Sequence, residues 1–269
     1  MPASDSLPYY LVDAFTDRLF AGNPAVVCPL PKWPDTAWLQ LVAREMNQSE
    51  TAFLVENRDG FDLRWFTPKV EVDLCGHATL ASAFALWHAG MATQGQTIRF
   101  STRSGILTAT SRGEEIELDF PLKPEEPAAA PVGLAEALGI EPVYIGRNQF
   151  DYLVEISSAS VLRQMNPDFA RLATVECRGT IVTARSDDPR YDFLSRFFAP
   201  QAGINEDPVT GSAHCCLAGF WARRLTKNFL VGYQASPRGG TVRVTLSGER
   251  VLLGGRAVLV SRGELLALV

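Results

Sequence analysis

The chain has 269 residues, of which 46% are hydrophobic and 20% charged, a balance typical of a soluble globular protein. Its net charge of -5 argues against a nucleic-acid partner, because nucleic-acid surfaces carry a basic excess. The five cysteines are odd in number and irregularly spaced, which favours a reducing compartment over a disulfide framework. With no signal-peptide pattern and no apolar run of membrane-spanning length, we expect a cytoplasmic protein without a membrane partner.

Hydrophobic periodicity in the first half predicts short strands and two helices. In chain order these are strands at 9–14 and 25–30, a helix at 38–46, strands at 49–57 and 61–67, a helix at 78–88, and strands at 97–100, 105–111 and 115–120. The helix at 78–88 contains no Asp, Glu, Lys or Arg. A helix without a polar face is normally enclosed by other elements, so we expect this one to be central.

The second half follows a similar plan after a segment at 122–131 that is rich in proline and glutamate and is predicted to be a linker. The predicted elements are a helix at 134–138, strands at 142–145 and 152–156, a helix at 166–173, strands at 179–184 and 191–198, a small-residue helix at 213–224, and strands at 241–246, 250–253 and 257–260. Glycines at 254–255 and 263 predict hairpin turns.

Alternating strands joined by short turns favour an antiparallel or mixed sheet. The sequence therefore predicts an α+β fold of two similar halves, each with a curved sheet around one apolar helix. The predicted boundaries are 1–121 for the first lobe and 132–256 for the second.

Two glycine-centred turns open the two apolar helices. Gly76 precedes the first and Gly211 precedes the second. The first turn of a helix has free N–H donors and a partial positive charge, so it attracts anions. Two such turns facing one cleft would bind a carboxylate, which predicts a small anionic metabolite as the partner.

Two carboxylates are candidates for acid/base chemistry. Glu50 lies at a predicted helix-to-strand junction ahead of apolar residues, and Asp207 lies just before the second glycine turn. Glu50 as a capping or pairing loop residue and Asp207 as a turn opener or helix cap stay open as structural alternatives.

His77, which follows Gly76, is a candidate for hydrogen bonding to substrate or for relaying a proton, and a helix start would lower its pKa. A histidine that satisfies a buried carbonyl is the alternative. Cys75 at the same turn is either a reactive thiol or a small space-filling residue. His88 and His214 are expected to have core roles.

No cofactor signature accompanies these residues. The glycine-rich dinucleotide and phosphate-binding patterns and the α/β-hydrolase nucleophile pattern are missing from the sequence. The spacing of Cys75, His77, His214, Cys215 and Cys216 does not match the usual zinc patterns. We therefore expect neither a cofactor nor a metal.

Several motifs together resemble the PhzF-like phenazine-biosynthesis isomerase family. They are DAFT at 13–16, FAGNPAV at 20–26, QSETAF at 48–53, RWFTP at 64–68, EVDLCGHATLA at 71–81, EDPVTGSA at 206–213, LGG at 253–255 and GEL at 263–265. The resemblance covers almost the whole chain.

The resemblance implies a diaminopimelate-epimerase-like fold with the active site between the halves, a C-terminal strand at about 257–269 that returns to the first lobe, and a homodimer. It implies a cofactor-independent proton shift, which in the namesake isomerises trans-2,3-dihydro-3-hydroxyanthranilate. The family's acid/base glutamate corresponds to Glu50, its histidine to His77, and its aspartate and serine to Asp207 and Ser212. Substrate contacts are expected at Cys75, Gly76, Gly211 and Ser212.

Two other functions remain open at this stage. In related racemases and epimerases a cysteine at this kind of turn is one of two thiols. Here the second turn carries Asp207 and Ser212 instead of a cysteine. An amino-acid epimerase that uses Cys75 is therefore one alternative, and a non-catalytic small-molecule binding protein is the other.

Overall fold

The computed structural model describes residues 6–266, which divide between two units. The first unit comprises the described residues up to Asp119 together with those from Gly254 onward, and the second comprises Phe120–Leu253. The segment at 122–131, predicted as a linker, lies in the second unit. Its residues Glu126–Pro127 form a short strand that pairs with Gly146 and Arg147.

The first unit is a mixed sheet with two helices. Its elements are β1 (Leu7–Ala14), β2 (Asn23–Leu30), α1 (Thr36–Met46), β3 (Glu50–Asn57), β4 (Gly60–Phe66), β5 (Glu71–Val72), α2 (Gly76–His88), β6 (Ile98–Thr102), β7 (Gly105–Arg112), β8 (Glu115–Pro121) and β18 (Ala257–Leu265). The strands pair in the order β18-β1-β2-β3-β4-β6-β7-β8, with β5 also beside β4. The pairs β2/β3 and β4/β6 are parallel and the others are antiparallel.

The second unit repeats this connectivity. Its elements are β9 (Glu126–Pro127), α3 (Leu134–Leu138), β10 (Tyr144–Arg147), β11 (Asp151–Glu155), α4 (Ala159–Gln164), α5 (Phe169–Leu172), β12 (Gly179–Arg185), β13 (Phe193–Ala199), β14 (Ile204–Asp207), α6 (Gly211–Leu225), β15 (Phe229–Gln234), β16 (Gly240–Ser247) and β17 (Arg250–Gly255). The strands pair in the order β9-β10-β11-β12-β13-β15-β16, with β14 beside β13. Here β11/β12 and β13/β15 are the parallel pairs. The predicted α+β fold with two similar halves is confirmed.

The two apolar helices are central to their units. Within α2 only Phe84 and His88 escape burial, and the helix packs against β1, β2, β3, β7 and β18. α6 packs against β15 and β16 and buries most of its length. The core role predicted for His214 is confirmed by its burial, whereas that for His88 is wrong, because His88 is exposed at the end of α2.

The predicted turns at 254–255 and 262–263 are wrong, because these glycines lie within β17 and β18. A Cβ on Gly263 would lie 2.7 Å from the ring of Tyr9, and one on Gly255 would lie 2.4 Å from the ring of Phe15. Both contacts are too close for a side chain. These glycines therefore make room for aromatic rings and do not reverse the chain.

Several short elements were missed in the sequence. They are α4, β5, β14 and β15, and α5 is shorter than the helix predicted at 166–173. Except for β15, which has six residues, these elements are too short for a periodic pattern to show: the helices have four to six residues and the strands two to four. In the described part of the chain, no helix has the length and apolarity needed to cross a membrane.

Candidate active site

A buried cluster in the first unit brings together three of the residues singled out in the sequence. The His77 Nε2 atom lies 3.1 Å from a carboxylate oxygen, Oε2, of Glu50. The Cys75 sulfur lies 3.5 Å from Nδ1 of the same ring. His77 and Cys75 are buried, and the Glu50 side chain is 12% exposed. A carboxylate, an imidazole and a thiol therefore lie together in a site that is largely shielded from solvent.

The fold places these side chains through the starts of two elements. Glu50 is the first residue of β3 and pairs with Ala25 of β2. Cys75 is the N-cap of α2, and His77 is the second residue of that helix. The central position of α2 in the sheet therefore brings the helix start to the beginning of β3.

Asn23 is a further member of the cluster that sequence reasoning missed. Its amide nitrogen, Nδ2, lies 3.1 Å from Nδ1 of His77, and its side chain is fully buried. Asn23 is the first residue of β2 and follows Gly22, whose φ of +65° and close approach to the Ala14 carbonyl exclude a side chain. The FAGNP segment was noted as part of a motif, but nothing in it distinguished this asparagine as a neighbour of His77.

The pKa of His77 is set by opposing effects. Burial by itself lowers the pKa of the imidazole, whereas the ionised forms of Cys75 and Glu50 raise it, and the resulting pKa lies well above its ordinary value. The expectation that a helix start lowers this pKa is therefore wrong. The Glu50 carboxylate lies 3.1 Å from Nε2, and its negative charge favours the protonated imidazole.

Cys75 does not have the properties of an activated thiol. Burial raises its pKa to about 11, and the charge of Glu50 adds to the rise. Cys75 is therefore a neutral thiol near pH 7. This environment favours the space-filling alternative over a nucleophile.

Donor atoms of Glu50, Cys75 and His77 all lie within 4.8 Å of one another, so each of these residues could offer one ligand to a metal ion. His214, Cys215 and Cys216, which were weighed with them in the sequence, lie in the second unit.

The second glycine turn has a different chemistry. Asp207 is buried at the end of β14, and its carboxylate accepts a hydrogen bond of 2.5 Å from the Thr210 hydroxyl. Gln234 fixes the same turn, because its Nε2 donates to the Asp207 carbonyl and its Oε1 accepts from the Thr210 amide. The turn that precedes Gly211 is thus held rigidly by side chains.

Ser212, the second residue of α6, contacts a cation that sequence reasoning missed. Arg178 Nη2 donates to the Ser212 hydroxyl at 3.1 Å, and the same guanidinium forms a two-pronged pair with Asp151. Burial raises the pKa of Asp151, and the bonds from Arg178 oppose the rise. Arg178 directly precedes β12, but no motif marks it in the sequence.

The register of the repeats shows which residues correspond. Glu50 and Gly179 begin β3 and β12 and pair with Ala25 and Asp151 respectively. Likewise His77 and Ser212 are the second residues of α2 and α6. The first unit therefore has a carboxylate and an imidazole where the second has a glycine and a serine.

Comparisons with known proteins agree with this architecture. Residues 12–263 match the family model PhzC-PhzF, described as phenazine biosynthesis-like protein. An uncharacterized isomerase of Halalkalibacterium halodurans is 56% identical over 260 residues, which cover 96% of this chain and 98% of that protein. A crystal structure of a PhzF-family phenazine biosynthesis protein from Enterococcus faecalis has a TM-score of 0.92 and 42% identity over 97% of this chain and 99% of its own.

A hydroxyproline epimerase from Agrobacterium vitis is similar in fold alone. It has a TM-score of 0.62 with 14% identity, over 98% of this chain and 93% of its own. The epimerase-like fold predicted from the motifs is confirmed.

Proposed function

This chain belongs to the phenazine biosynthesis-like family, PhzC-PhzF, and we propose that it is a cofactor-independent isomerase that moves a proton on a small carboxylated substrate. The observation that carries the proposal is the buried contact of 3.1 Å between Glu50 and His77. A carboxylate and an imidazole at this distance can pass a proton between them, and both groups are common general acids and bases.

Glu50 is proposed to remove the proton from carbon. Its Oε2 is buried and faces His77, which leaves Oε1 for the substrate. The carbon–hydrogen bond breaks, its proton passes to Glu50, and its electron pair delocalises into an adjacent unsaturated or carbonyl group. The protonated carboxyl then returns a proton at another carbon, so substrate and product are isomers.

The negative charge that develops on the substrate when the proton leaves must be stabilised by the protein, because little water reaches the site. The His77 imidazole supports it from one side by holding or sharing the proton of Glu50. The N–H groups of Gly76 and His77 in the first turn of α2 are oriented donors for an anionic group. Fixed dipoles of this kind stabilise a developing anion without reorganisation, which is the main requirement for breaking a carbon–hydrogen bond.

We also propose that Asp207, Gly211 and Ser212 contribute to substrate binding, with Arg178 as an added cation beside Ser212. The Ser212→Ala variant should then raise KM more than it lowers kcat.

A homodimer in the cytoplasm is part of the same proposal, and light scattering of the purified protein tests the dimer. If the protein is a monomer, the proposed homodimer is wrong, but the proposed proton transfer by Glu50 is unaffected.

The test is exchange of substrate hydrogen with solvent deuterium across a panel of small unsaturated carboxylates. We expect one substrate class to acquire deuterium in the presence of the protein. The Glu50→Gln variant should exchange at least about a hundredfold more slowly, the usual contribution of a general base.

Glu56→Gln is the matched control, because Glu56 lies on the same strand and is exposed. It should exchange at the wild-type rate. Exchange by Glu50→Gln at the wild-type rate would remove Glu50 from the mechanism. Binding of a carboxylate without any exchange would favour a non-catalytic binding protein.

A further inference from the structure

The Nδ1 side of His77 faces two hydrogen-bond donors. The Asn23 amide nitrogen lies 3.1 Å from Nδ1, and the Cys75 sulfur lies 3.5 Å from it. An amide nitrogen can only donate, and the thiol of Cys75 keeps its proton because burial raises its pKa to about 11. Nδ1 is therefore an acceptor, and the neutral ring carries its proton on Nε2, the atom that faces Glu50.

The backbone of Asn23 is fixed by its surroundings. Its backbone pairs with Ala14 of β1, and Gly22 before it packs against the Ala14 carbonyl with no room for a side chain. The preceding loop is fixed by Asp13, whose buried carboxylate accepts the Phe20 amide at 2.8 Å. The sheet and this loop thus set the backbone position from which the Asn23 side chain reaches His77.

We infer that Asn23 is a positioning residue that assigns the proton of neutral His77 to Nε2, so that Nε2 and not Nδ1 exchanges protons with Glu50. The effect of this tautomer on catalysis rests on the proposed function, whereas the assignment of the tautomer is independent of it. An aspartate at position 23 can only accept a hydrogen bond, and a leucine can neither donate nor accept one.

Among the described residues, three polar groups from three segments face the ring: Glu50 from β3, Cys75 from the start of α2, and Asn23 from β2. Replacing Asn23 by aspartate adds a second negative charge and an acceptor at Nδ1. It should therefore raise the pH at which His77 titrates and move the proton of the neutral ring to Nδ1.

The experiment is a pH titration of the whole protein with ¹⁵N-labelled histidine, since nitrogen shifts distinguish a protonated ring nitrogen from a bare one. The chain has three histidines, and His88→Gln and His214→Gln assign the signals. His214 is an internal reference, because its Nδ1 lies 2.8 Å from the Thr210 carbonyl and must carry the proton. Above its midpoint, wild-type His77 should show the proton on Nε2. A proton on Nδ1 overturns the inference without any variant.

The variants then test Asn23 itself. Asn23→Asp should raise the His77 midpoint by about one pH unit or more and place the proton of the neutral ring on Nδ1. Asn23→Leu should reduce the share of the Nε2 tautomer in the neutral ring, because only Glu50 then favours it. The His214 signals should stay unchanged in each folded variant. If the midpoint and tautomer of Asn23→Asp match the wild type, Asn23 does not position the ring.

Deuterium exchange separates the two proposals. If Asn23→Asp loses the Nε2 tautomer and also exchanges deuterium more slowly, the result supports both the proposed isomerase function and the positioning role of Asn23. A wild-type exchange rate in a variant with the switched tautomer overturns the positioning role and leaves Glu50 as the base. Absence of exchange in the wild type removes the proposed function and leaves the tautomer assignment in place.

Discussion

His77 and His214 lie in the first turns of corresponding helices, α2 and α6, and their environments move their pKa values in opposite directions. Burial lowers the pKa of both rings. For His77 the charges of Glu50 and of ionised Cys75 outweigh burial, whereas for His214 the hydrogen bond to the Thr210 carbonyl does not, and its pKa falls to about 4. One topology therefore holds a histidine of raised pKa in one unit and a histidine of lowered pKa in the other.

Removing the charge of Glu50 should lower the pKa of His77. The raised pKa means that folded protein binds this proton more tightly than unfolded protein. The resulting stability is therefore present below the ordinary pKa of about 6.5 and is lost as pH rises through the folded value. In Glu50→Gln the His77 midpoint should fall, as followed by NMR titration. Glu56→Gln should leave it in place, and a Glu50→Gln midpoint equal to the wild type would contradict the assigned cause.

His214 should make stability depend on pH with the opposite sign. Because burial lowers its pKa to about 4, the folded state takes up this proton later than the unfolded state does. Stability should therefore be lost as pH falls from about 6.5 to about 4, by about 3 kcal/mol for this residue.

Urea unfolding at several pH values measures this loss. A His214→Gln variant should lack this part of the pH dependence even if it is less stable throughout. His88→Gln is the matched control, because His88 is exposed, and its curve should run parallel to that of the wild type. Parallel curves for His214→Gln and the wild type would show that His214 is not the source.

Cys75 should behave as a buried neutral thiol. With a pKa of about 11, its thiolate fraction at about pH 8 is roughly 200-fold lower than that of an ordinary cysteine. Iodoacetamide followed by peptide mapping should therefore label Cys75 far more slowly than the half-buried Cys177. Cys75→Ser should keep deuterium exchange within about tenfold of the wild type. Complete loss of exchange in Cys75→Ser would instead favour the thiol-based epimerase.

The repeat also preserves a structural ion pair. Arg64 and Glu71 pair through two hydrogen bonds in the first unit, and Arg196 and Glu206 do the same in the second. Arg196 is buried and also donates to the Leu162 and Met165 carbonyls. Replacement of its partner would leave a buried, uncompensated charge. Glu206→Gln should therefore lower the free energy of unfolding by about 3 kcal/mol.

The control for Glu206→Gln is Glu117→Gln, which removes the partner of the well-exposed Arg112. Its cost should stay below about 1 kcal/mol, because water screens an exposed pair. Urea unfolding of both variants gives the comparison. Equal costs would mean that burial does not strengthen the dependence of Arg196 on Glu206.

Much of the fold and part of the site were predictable from the sequence. The apolar helices, most strands and the two-part plan follow from hydrophobic periodicity, which reports which face of an element is buried. Glu50, His77 and Cys75 were recognisable because they lie beside a glycine turn or an element boundary. The glycines at 255 and 263 were misread because a glycine that makes room for a distant ring has the same local signature as a glycine in a turn.

The sequence by itself determined the α+β class, the internal repeat and the residue types available for proton transfer, because these depend on local pattern and composition. Only the tertiary structure decided which side chains meet. Asn23, Glu50 and His77 belong to three separate elements, and contacts between them depend on strand register and on where α2 enters the sheet. The direction of the His77 pKa depends on the same contacts, because a carboxylate at 3.1 Å acts through space and leaves no trace in the neighbouring sequence.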